Sequence, residues 1–183
     1  VTTNQIQIGI WSDANAGNWV VADDFELYKQ DFFGNELFNS GFEADTGTGS
    51  ILNPLCWSKW TDAGNANASY TETLQPHTGS RNLCHYKSTA YQASTYQNIA
   101  GLKNGLYTLK AWVKSGGGQQ QCTVFVKNYG GSDLNATVYA SSQYVQITIP
   151  YINITNGKCT VGLWSNANPG NWVAADDFEL YMQ

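Results

Sequence analysis

The sequence predicts an all-β fold, namely a two-sheet antiparallel β-sandwich of the jelly-roll type. Short runs of alternating apolar and polar residues support this fold, as in residues 106–114 and 122–129. Tight-turn signals such as Asn104-Gly105 and Asn156-Gly157 separate the runs. No window keeps a helical 3.6-residue period over three turns. Roughly eight to ten strands in a module of about 150 residues suit two packed sheets.

Alternation along three runs assigns an inner and an outer face. The inner, apolar positions are Tyr107, Leu109, Ala111 and Val113, then Cys122, Val124 and Val126, and finally Cys159, Val161 and Leu163. The opposite face then carries one or more large rings in each run: Trp112, Phe125 with Tyr129, and Trp164. An exposed aromatic face on a sheet is typical of a ligand site. The alternative is that another sheet, loop or helix covers these rings. Trp57, just before a strand-like run, is predicted to lie in the core.

The composition narrows the classes of partner. The chain has 183 residues, a net charge of -5, 13% charged residues and 14% aromatic residues. A nucleic-acid partner is not expected, because phosphates require a basic face. No run approaches the roughly 18 apolar residues of a membrane span. A surface rich in uncharged polar groups and aromatic rings suits neutral sugars.

An internal repeat divides the chain. Residues 8–29 and 161–182 are identical at 16 of 22 positions, at a constant offset of 153 residues. The repeat predicts that residues 1–30 are the C-terminal strand remnant of a preceding homologous module, and that residues 31–183 form one whole module. Both copies suit the same place in a sheet, and only one can occupy it. We therefore expect self-association through the duplicated strand segment; the alternatives are that residues 6–28 fill this place within their own chain or stay a disordered remnant.

Four cysteines fit no metal-binding spacing. Their even number predicts an oxidising compartment, and so a secreted, extracellular protein. The predicted disulfides are Cys122–Cys159 and Cys56–Cys84. The alternative is that the cysteines are buried free thiols. The opening residues lack the features of a signal peptide, so any such peptide is expected to have been removed.

Two motifs near the ends of the module carry a family resemblance. Asn39-Ser-Gly-Phe-Glu43 and Asp176-Asp177-Phe-Glu-Leu180 resemble the paired signature of jelly-roll carbohydrate-binding modules, including families 4, 16 and 22. The resemblance implies that the first and last strands lie side by side. It also implies a structural calcium ion, because calcium requires several oxygen ligands. The implied ligands are Glu43, Asp176 or Asp177, and carbonyls around Ser80 and Arg81; the alternative is carboxylates that only face water.

Further motifs resemble one family within this group. Segments 57–70, 88–97, 127–133 and 164–172 look like the modules attached to bacterial endo-galactanases, which form carbohydrate-binding module family 61. The resemblance covers residues 38–183 and the remnant at 6–28. It implies a non-catalytic module that targets a glycan-degrading enzyme to β-1,4-galactan in plant cell walls. Xylan and β-glucan are the alternative ligands, and a spacer or adhesive module of a surface protein is the alternative function.

The candidate sugar-binding residues are chosen by chemistry. A pyranose ring stacks its C–H face on Trp or Tyr, and its hydroxyls bond to polar side chains. The candidates are Trp60, His85, Lys87, Tyr91, Trp112, Lys127, Tyr129, Trp164, Asn166 and Trp172. Catalysis is not expected, because neither His77 nor His85 lies in a nucleophile or zinc motif. The carboxylates outside the predicted calcium site also lack the motif support that a glycosidase pair would have.

Overall fold

A computed structural model describes residues 9–22 and 34–183. None of these residues belongs to a helix long and apolar enough to cross a membrane. The described residues form ten strands: β1 (Ser58–Thr61), β2 (Ser69–Glu72), β3 (Asn82–Tyr86), β4 (Tyr91–Ala100), β5 (Gly105–Ser115), β6 (Gln121–Lys127), β7 (Leu134–Thr137), β8 (Ser141–Ile154), β9 (Lys158–Ala167) and β10 (Trp172–Met182).

The strands form two five-stranded sheets. Sheet 1 has the order β1-β4-β9-β6-β7, and sheet 2 has the order β2-β3-β10-β5-β8. All the pairings between these strands are antiparallel. The successive strands β9 and β10 lie at the centres of different sheets, so the end of the chain contributes to both layers. The predicted two-sheet sandwich is confirmed.

The inner faces of the two sheets form the core, as the alternation predicts. All ten positions assigned to the inner face of the three runs are at most 4% exposed. Trp57 is also buried, and its ring centroid lies 5.2 Å from that of Phe42 and 5.1 Å from that of Phe178. Each large buried side chain contributes roughly 1.5–3 kcal/mol through the apolar surface it removes from water.

Tyr129 departs from the predicted face. It belongs to the hydrophobic core at 7% exposure, and its hydroxyl donates to the carbonyl of Ser132 at 2.6 Å. The reason is Asn128, which follows the last residue of β6 and has a left-handed φ of 58°. A left-handed residue interrupts the two-residue alternation, so the next side chain turns inward. The outward assignment of Tyr129 is wrong.

The beginning of the module runs beside its last strand, as the resemblance implies. Glu36 N donates to the carbonyl of Leu180 at 2.8 Å, and Phe178 N donates to the carbonyl of Ser40 at 3.0 Å. The Asn35 side chain donates to the carbonyl of Phe178 and accepts from Leu180 N, both at 2.9 Å. These bonds attach residues 35–40 to β10.

The described part of the first repeat copy is residues 9–22. It contains no strand, and all its residues are exposed. The second copy forms β9 and β10 instead. The rest of the predicted remnant, together with most of the segment that joins it to the module, lies outside the described residues. The assignment of residues 1–30 to a preceding module stays a prediction.

The predicted disulfides are absent. Cys84, Cys122 and Cys159 are buried free thiols. Cys122 lies opposite Ser165 in the β6–β9 pairing, whereas Cys159 lies opposite Ile99 near the other end of β9. Six residues of strand separate the two positions by about 20 Å. A disulfide requires Cα atoms within about 7 Å.

Candidate functional site

Two tryptophans form a stacked pair on the outer face of sheet 1. Trp60 of β1 and Trp164 of β9 both lie opposite Ser94 of the intervening strand β4. Their ring centroids are 5.8 Å apart, with an interplanar angle of 29°. The small side chain of Ser94 leaves room for the rings to meet above the sheet. Trp60 remains 47% exposed. We call this set, Trp60, Ser94 and Trp164, the tryptophan platform.

Hydrogen-bonding groups lie beside the platform. Trp164 Nε1 donates to Gln121 Oε1 at 3.1 Å, and Asn166 Nδ2 donates to Gln120 Oε1 at 3.2 Å. A recess of 270 Å³ adjoins Trp164, and it is lined by Gln121, Thr123, Phe125, Lys127, Asn135 and Trp164. The buried hydroxyl of Thr123 has no hydrogen-bond partner among the described residues. Such an unsatisfied group in a recess can bond to a ligand or a water molecule.

Gly162 creates the space for the floor of this recess. It lies opposite Phe125 on one side and Tyr96 on the other. A Cβ atom at this position would come within 2.9 Å of Phe125 Cζ and 2.3 Å of the Thr95 carbonyl oxygen. The missing side chain therefore lets the Phe125 ring lie across β9. Lys127 Nζ sits 5.0 Å from the Phe125 ring centroid and 3.6 Å from an Asp133 carboxylate oxygen.

The outer face of sheet 1 gathers four of the predicted sugar-binding residues, but the prediction of one aromatic face does not hold. Trp60, Trp164, Lys127 and Asn166 share the outer face of sheet 1. Trp112 lies on β5, in sheet 2, so its side chain points away from the platform on the other side of the sandwich. Its ring stacks on the His77 imidazole, with a centroid distance of 4.2 Å.

His85 and Tyr91 lie inside the protein, where neither can reach a surface ligand. His85 has no exposed surface, because alternation along β3 turns it inward with Leu83. Its two ring nitrogens lie 2.9 Å from Ser165 Oγ and 2.9 Å from Thr95 Oγ1. Burial lowers the pKa of His85 to about 3, so the ring is neutral at physiological pH. Tyr91 is 2% exposed and donates its hydroxyl to the His85 carbonyl at 2.9 Å.

Lys87 and Trp172 lie away from the platform residues. Lys87 Nζ donates to the carbonyl of Gly64 at 2.7 Å and to Asn65 Oδ1 at 2.8 Å, so it holds a loop in place. Trp172 begins β10 in sheet 2 and lines a separate pocket there. The sequence signal missed Gln121, Thr123 and Asn135, because only strand pairing places them beside Trp164.

The residues predicted to bind calcium meet one loop. Glu43 accepts hydrogen bonds from the backbone N–H groups of Ser80 and Arg81, at 2.9–3.0 Å. Asp176 Oδ2 accepts from the N–H groups of His77 and Thr78. In this arrangement the Glu43 and Asp176 carboxylates accept hydrogen bonds from backbone N–H groups of residues 77–81.

The neighbouring carboxylates of Asp176 and Asp177 lie in different environments. Burial, followed by the charge of Asp177, raises the pKa of Asp176 to about 7. Asp177 lies 2.6 Å from His77 Nδ1 and accepts from Thr78 Oγ1 at 2.8 Å. Across residues 9–22 and 34–183, no group of three His, Cys, Asp or Glu side chains is placed to hold a metal. Calcium binding by Glu43, Asp176 or Asp177 and carbonyls around Ser80 and Arg81 remains a prediction from the resemblance.

Two solved carbohydrate-binding modules have a similar architecture. TmCBM61, solved in complex with β-1,4-galactotriose, superposes with a TM-score of 0.67 and 19% identity, over 81% of this chain and 99% of that one. A family 16 carbohydrate-binding module superposes with a TM-score of 0.54 and 18% identity, over 80% and 99% of the two chains. The chain has the jelly-roll fold of the carbohydrate-binding modules.

Two further matches are to longer proteins. The enzymatically active domain of tailspike protein 4 from bacteriophage CBA120 matches with a TM-score of 0.64 and 10% identity, over 81% of this chain and 21% of that one. A 1,6-α-glucosyltransferase of Sporosarcina globispora is 30% identical over 155 residues, which are 81% of this chain. The chain spans 12% of the length of that enzyme. No family model matches the sequence.

Proposed function

We propose that this module binds a neutral polysaccharide on the tryptophan platform and is not itself an enzyme. The observation that carries the proposal is the stacked pair of Trp60 and Trp164 on the outer face of sheet 1, beside a recess lined by hydrogen-bonding side chains. The indole faces supply apolar contact for the C–H face of a pyranose ring. Gln121, Thr123 and Asn135 supply donors and acceptors for its hydroxyls.

We propose β-1,4-galactan as the ligand. The sequence motifs resemble family 61, and TmCBM61 was solved with a β-1,4-linked galactose trimer. Xylan and β-glucan remain the alternatives that the sequence leaves open. The glucosyltransferase similarity adds an α-glucan as a second candidate, since the match at 30% identity lies in an enzyme named for 1,6-α-glucosyl transfer.

The same proposal covers the setting of the module. It would be secreted and would hold a glycoside hydrolase or a related glycan-active enzyme on its substrate. The disulfide argument for secretion no longer holds, because Cys84, Cys122 and Cys159 are free thiols. The proposed location therefore rests on the ligand class alone. Each site is expected to bind weakly, because a few rings and hydroxyl bonds leave little net free energy after the entropy of association is lost.

The test measures binding by affinity electrophoresis and calorimetry with galactan, xylan, β-glucan and α-glucan. Trp164→Ala should weaken binding at least about tenfold, or 1.4 kcal/mol. Trp11→Ala is a matched control, because Trp11 is the repeat counterpart of Trp164 and is 85% exposed outside the sheets. It should leave binding unchanged.

The outcomes separate the candidate functions. Retardation by galactan without release of sugar supports the proposal, and tighter binding of another glycan changes the ligand. Retardation by none of the four polysaccharides would favour a spacer or adhesive module. Release of reducing ends from any of these polysaccharides would show that the protein is an enzyme.

A further inference from the structure

A second pocket opens on the outer face of sheet 2, on the opposite side of the sandwich from the tryptophan platform. Its volume of 350 Å³ lies at the lower end of the range for small-molecule sites. The strands β2, β3, β10 and β5 contribute its walls, together with the residues that follow β2. The lining residues that matter here are Tyr70, Glu72, Gln75, Tyr86, Lys114 and Trp172.

Three aromatic rings line this pocket. Tyr86 and Trp172 lie directly opposite each other in the β3–β10 pairing, and Tyr70 comes from the neighbouring strand β2. Tyr86 is 41% exposed. Gly116 sets the position of the indole, because a Cβ atom there would lie 2.5 Å from Trp172 Nε1. The pocket therefore presents ring surface held in place by the sheet and by Gly116.

The pocket is lined by one positively charged side chain, Lys114, and one negatively charged side chain, Glu72. Lys114 is 7% exposed, and its ammonium group donates to the Gln75 carbonyl at 2.8 Å while lying 4.5 Å from the Tyr144 ring centroid. Burial lowers the pKa of Lys114, and the nearby Glu72 carboxylate acts in the opposite direction. Burial also raises the pKa of the Cys84 thiol to about 12, which keeps it protonated and uncharged. One cation and one anion thus leave the lining with no net charge.

We propose that this pocket is a second sugar-binding site, which takes one neutral pyranose unit. The rings supply the stacking surface, the Lys114 ammonium donates to a hydroxyl, and Glu72 and Gln75 accept from hydroxyls. The absence of net charge selects against phosphate or uronate ligands. Because the outer faces of the two sheets point away from each other, one module can hold two separate glycan chains. Two linked weak sites raise the avidity for an insoluble polysaccharide.

The experiment follows the indole N–H signal of Trp172 by NMR in a Trp60→Ala/Trp164→Ala protein, which removes the platform. The probes are galactobiose, cellobiose, xylobiose and isomaltose, at up to roughly 50 mM, which detects millimolar dissociation constants. We expect a saturable shift with one or more of them. Failure of the platform proposal is measured separately. In that case the unmodified protein shows no glycan binding that is lost on substitution of Trp60 and Trp164.

Further variants identify the pocket. Gly116→Ala should displace the indole without removing it and should weaken the saturable shift at least about fivefold, or 1 kcal/mol. Trp172→Ala should abolish the matching shifts of the Tyr86 and Lys114 amides. Trp19→Ala is the matched control, because Trp19 is the repeat counterpart of Trp172 and is 83% exposed. The proposal is overturned if no disaccharide gives a saturable shift, or if the Tyr86 and Lys114 shifts persist unchanged without Trp172.

Discussion

Residues 9–22 and residues 162–175 have nearly the same sequence, with ten of fourteen positions identical, yet they occupy different environments. The first segment is exposed throughout and contains no strand. The second comprises the end of β9, the turn that follows and the start of β10, and these two strands lie at the centres of the two sheets. Trp11 is 85% exposed, whereas its counterpart Trp164 stacks on Trp60. An alternating pattern therefore makes a segment able to form a strand, and neighbouring strands decide whether it does.

The largest expected contrast comes from one pair of counterparts. Leu163 has no exposed surface, whereas its counterpart Ile10 is 49% exposed. Leu163→Ala should reduce the free energy of unfolding by about 2–5 kcal/mol, through lost burial and the cavity that remains. Ile10→Ala should change it by less than about 0.5 kcal/mol. Urea denaturation of both variants checks this, and equal losses would show that the two copies share the same environment.

The second prediction uses the buried imidazole beside the second copy. His85 contacts Ser165, and its pKa is lowered to about 3 in the folded protein. The unfolded chain gains this proton near pH 6.5, so the His85 contribution to stability falls as the pH drops from about 6.5 toward 3. The slope is at most about 1.4 kcal/mol per pH unit.

Asp176 contributes with the opposite sign, so a difference measurement is required. Its pKa is raised to about 7 when folded, and its contribution to stability is therefore lost as the pH rises from about 4 to 7. We expect the stability of His85→Gln relative to the unmodified protein to improve on acidification from pH 6.5 to 4.5. Urea denaturation across this range measures it, and a constant difference between the two proteins would contradict a buried neutral His85.

A smaller effect is expected from calcium at the junction of β10 with residues 40–43. The family resemblance predicts that calcium raises the melting temperature, because an ion that binds only the folded state stabilises it. Glu43→Gln should remove this rise, while galactan affinity at room temperature stays nearly unchanged. A calcium titration followed by calorimetry measures both quantities. If neither calcium nor a chelator changes the melting temperature, Glu43 acts only as a hydrogen-bond acceptor for Ser80 and Arg81.

The smallest expected effect is weak self-association through the first repeat copy. We expect the full chain to sediment as a concentration-dependent mixture, because a segment that suits a sheet can add to an exposed strand edge of another copy. A shortened chain that starts at Glu36 should sediment as a monomer. Two monomers of equal compactness would show that the duplicated segment does not drive association.

Some features follow from local sequence and were predictable. Alternation assigned the inner positions of β5, β6 and β9 correctly, because side chains two residues apart on a strand share a face. The turn signals and the lack of helical period predicted the all-β class. Trp57 was placed in the core, and the resemblance implied that the start of the module lies against β10.

Other features required the tertiary structure. The sequence could not assign strands to sheets, so Trp112 and Trp164 were predicted to share one face when they point in opposite directions. His85 was predicted to reach ligand, whereas the facing sheet supplies its two partners, Ser165 and Thr95, inside the protein. The Cys122–Cys159 prediction overlooked the register that places Cys122 opposite Ser165. Alternation is a local property of consecutive residues, whereas sheet membership and register arise from pairing between residues far apart in the chain.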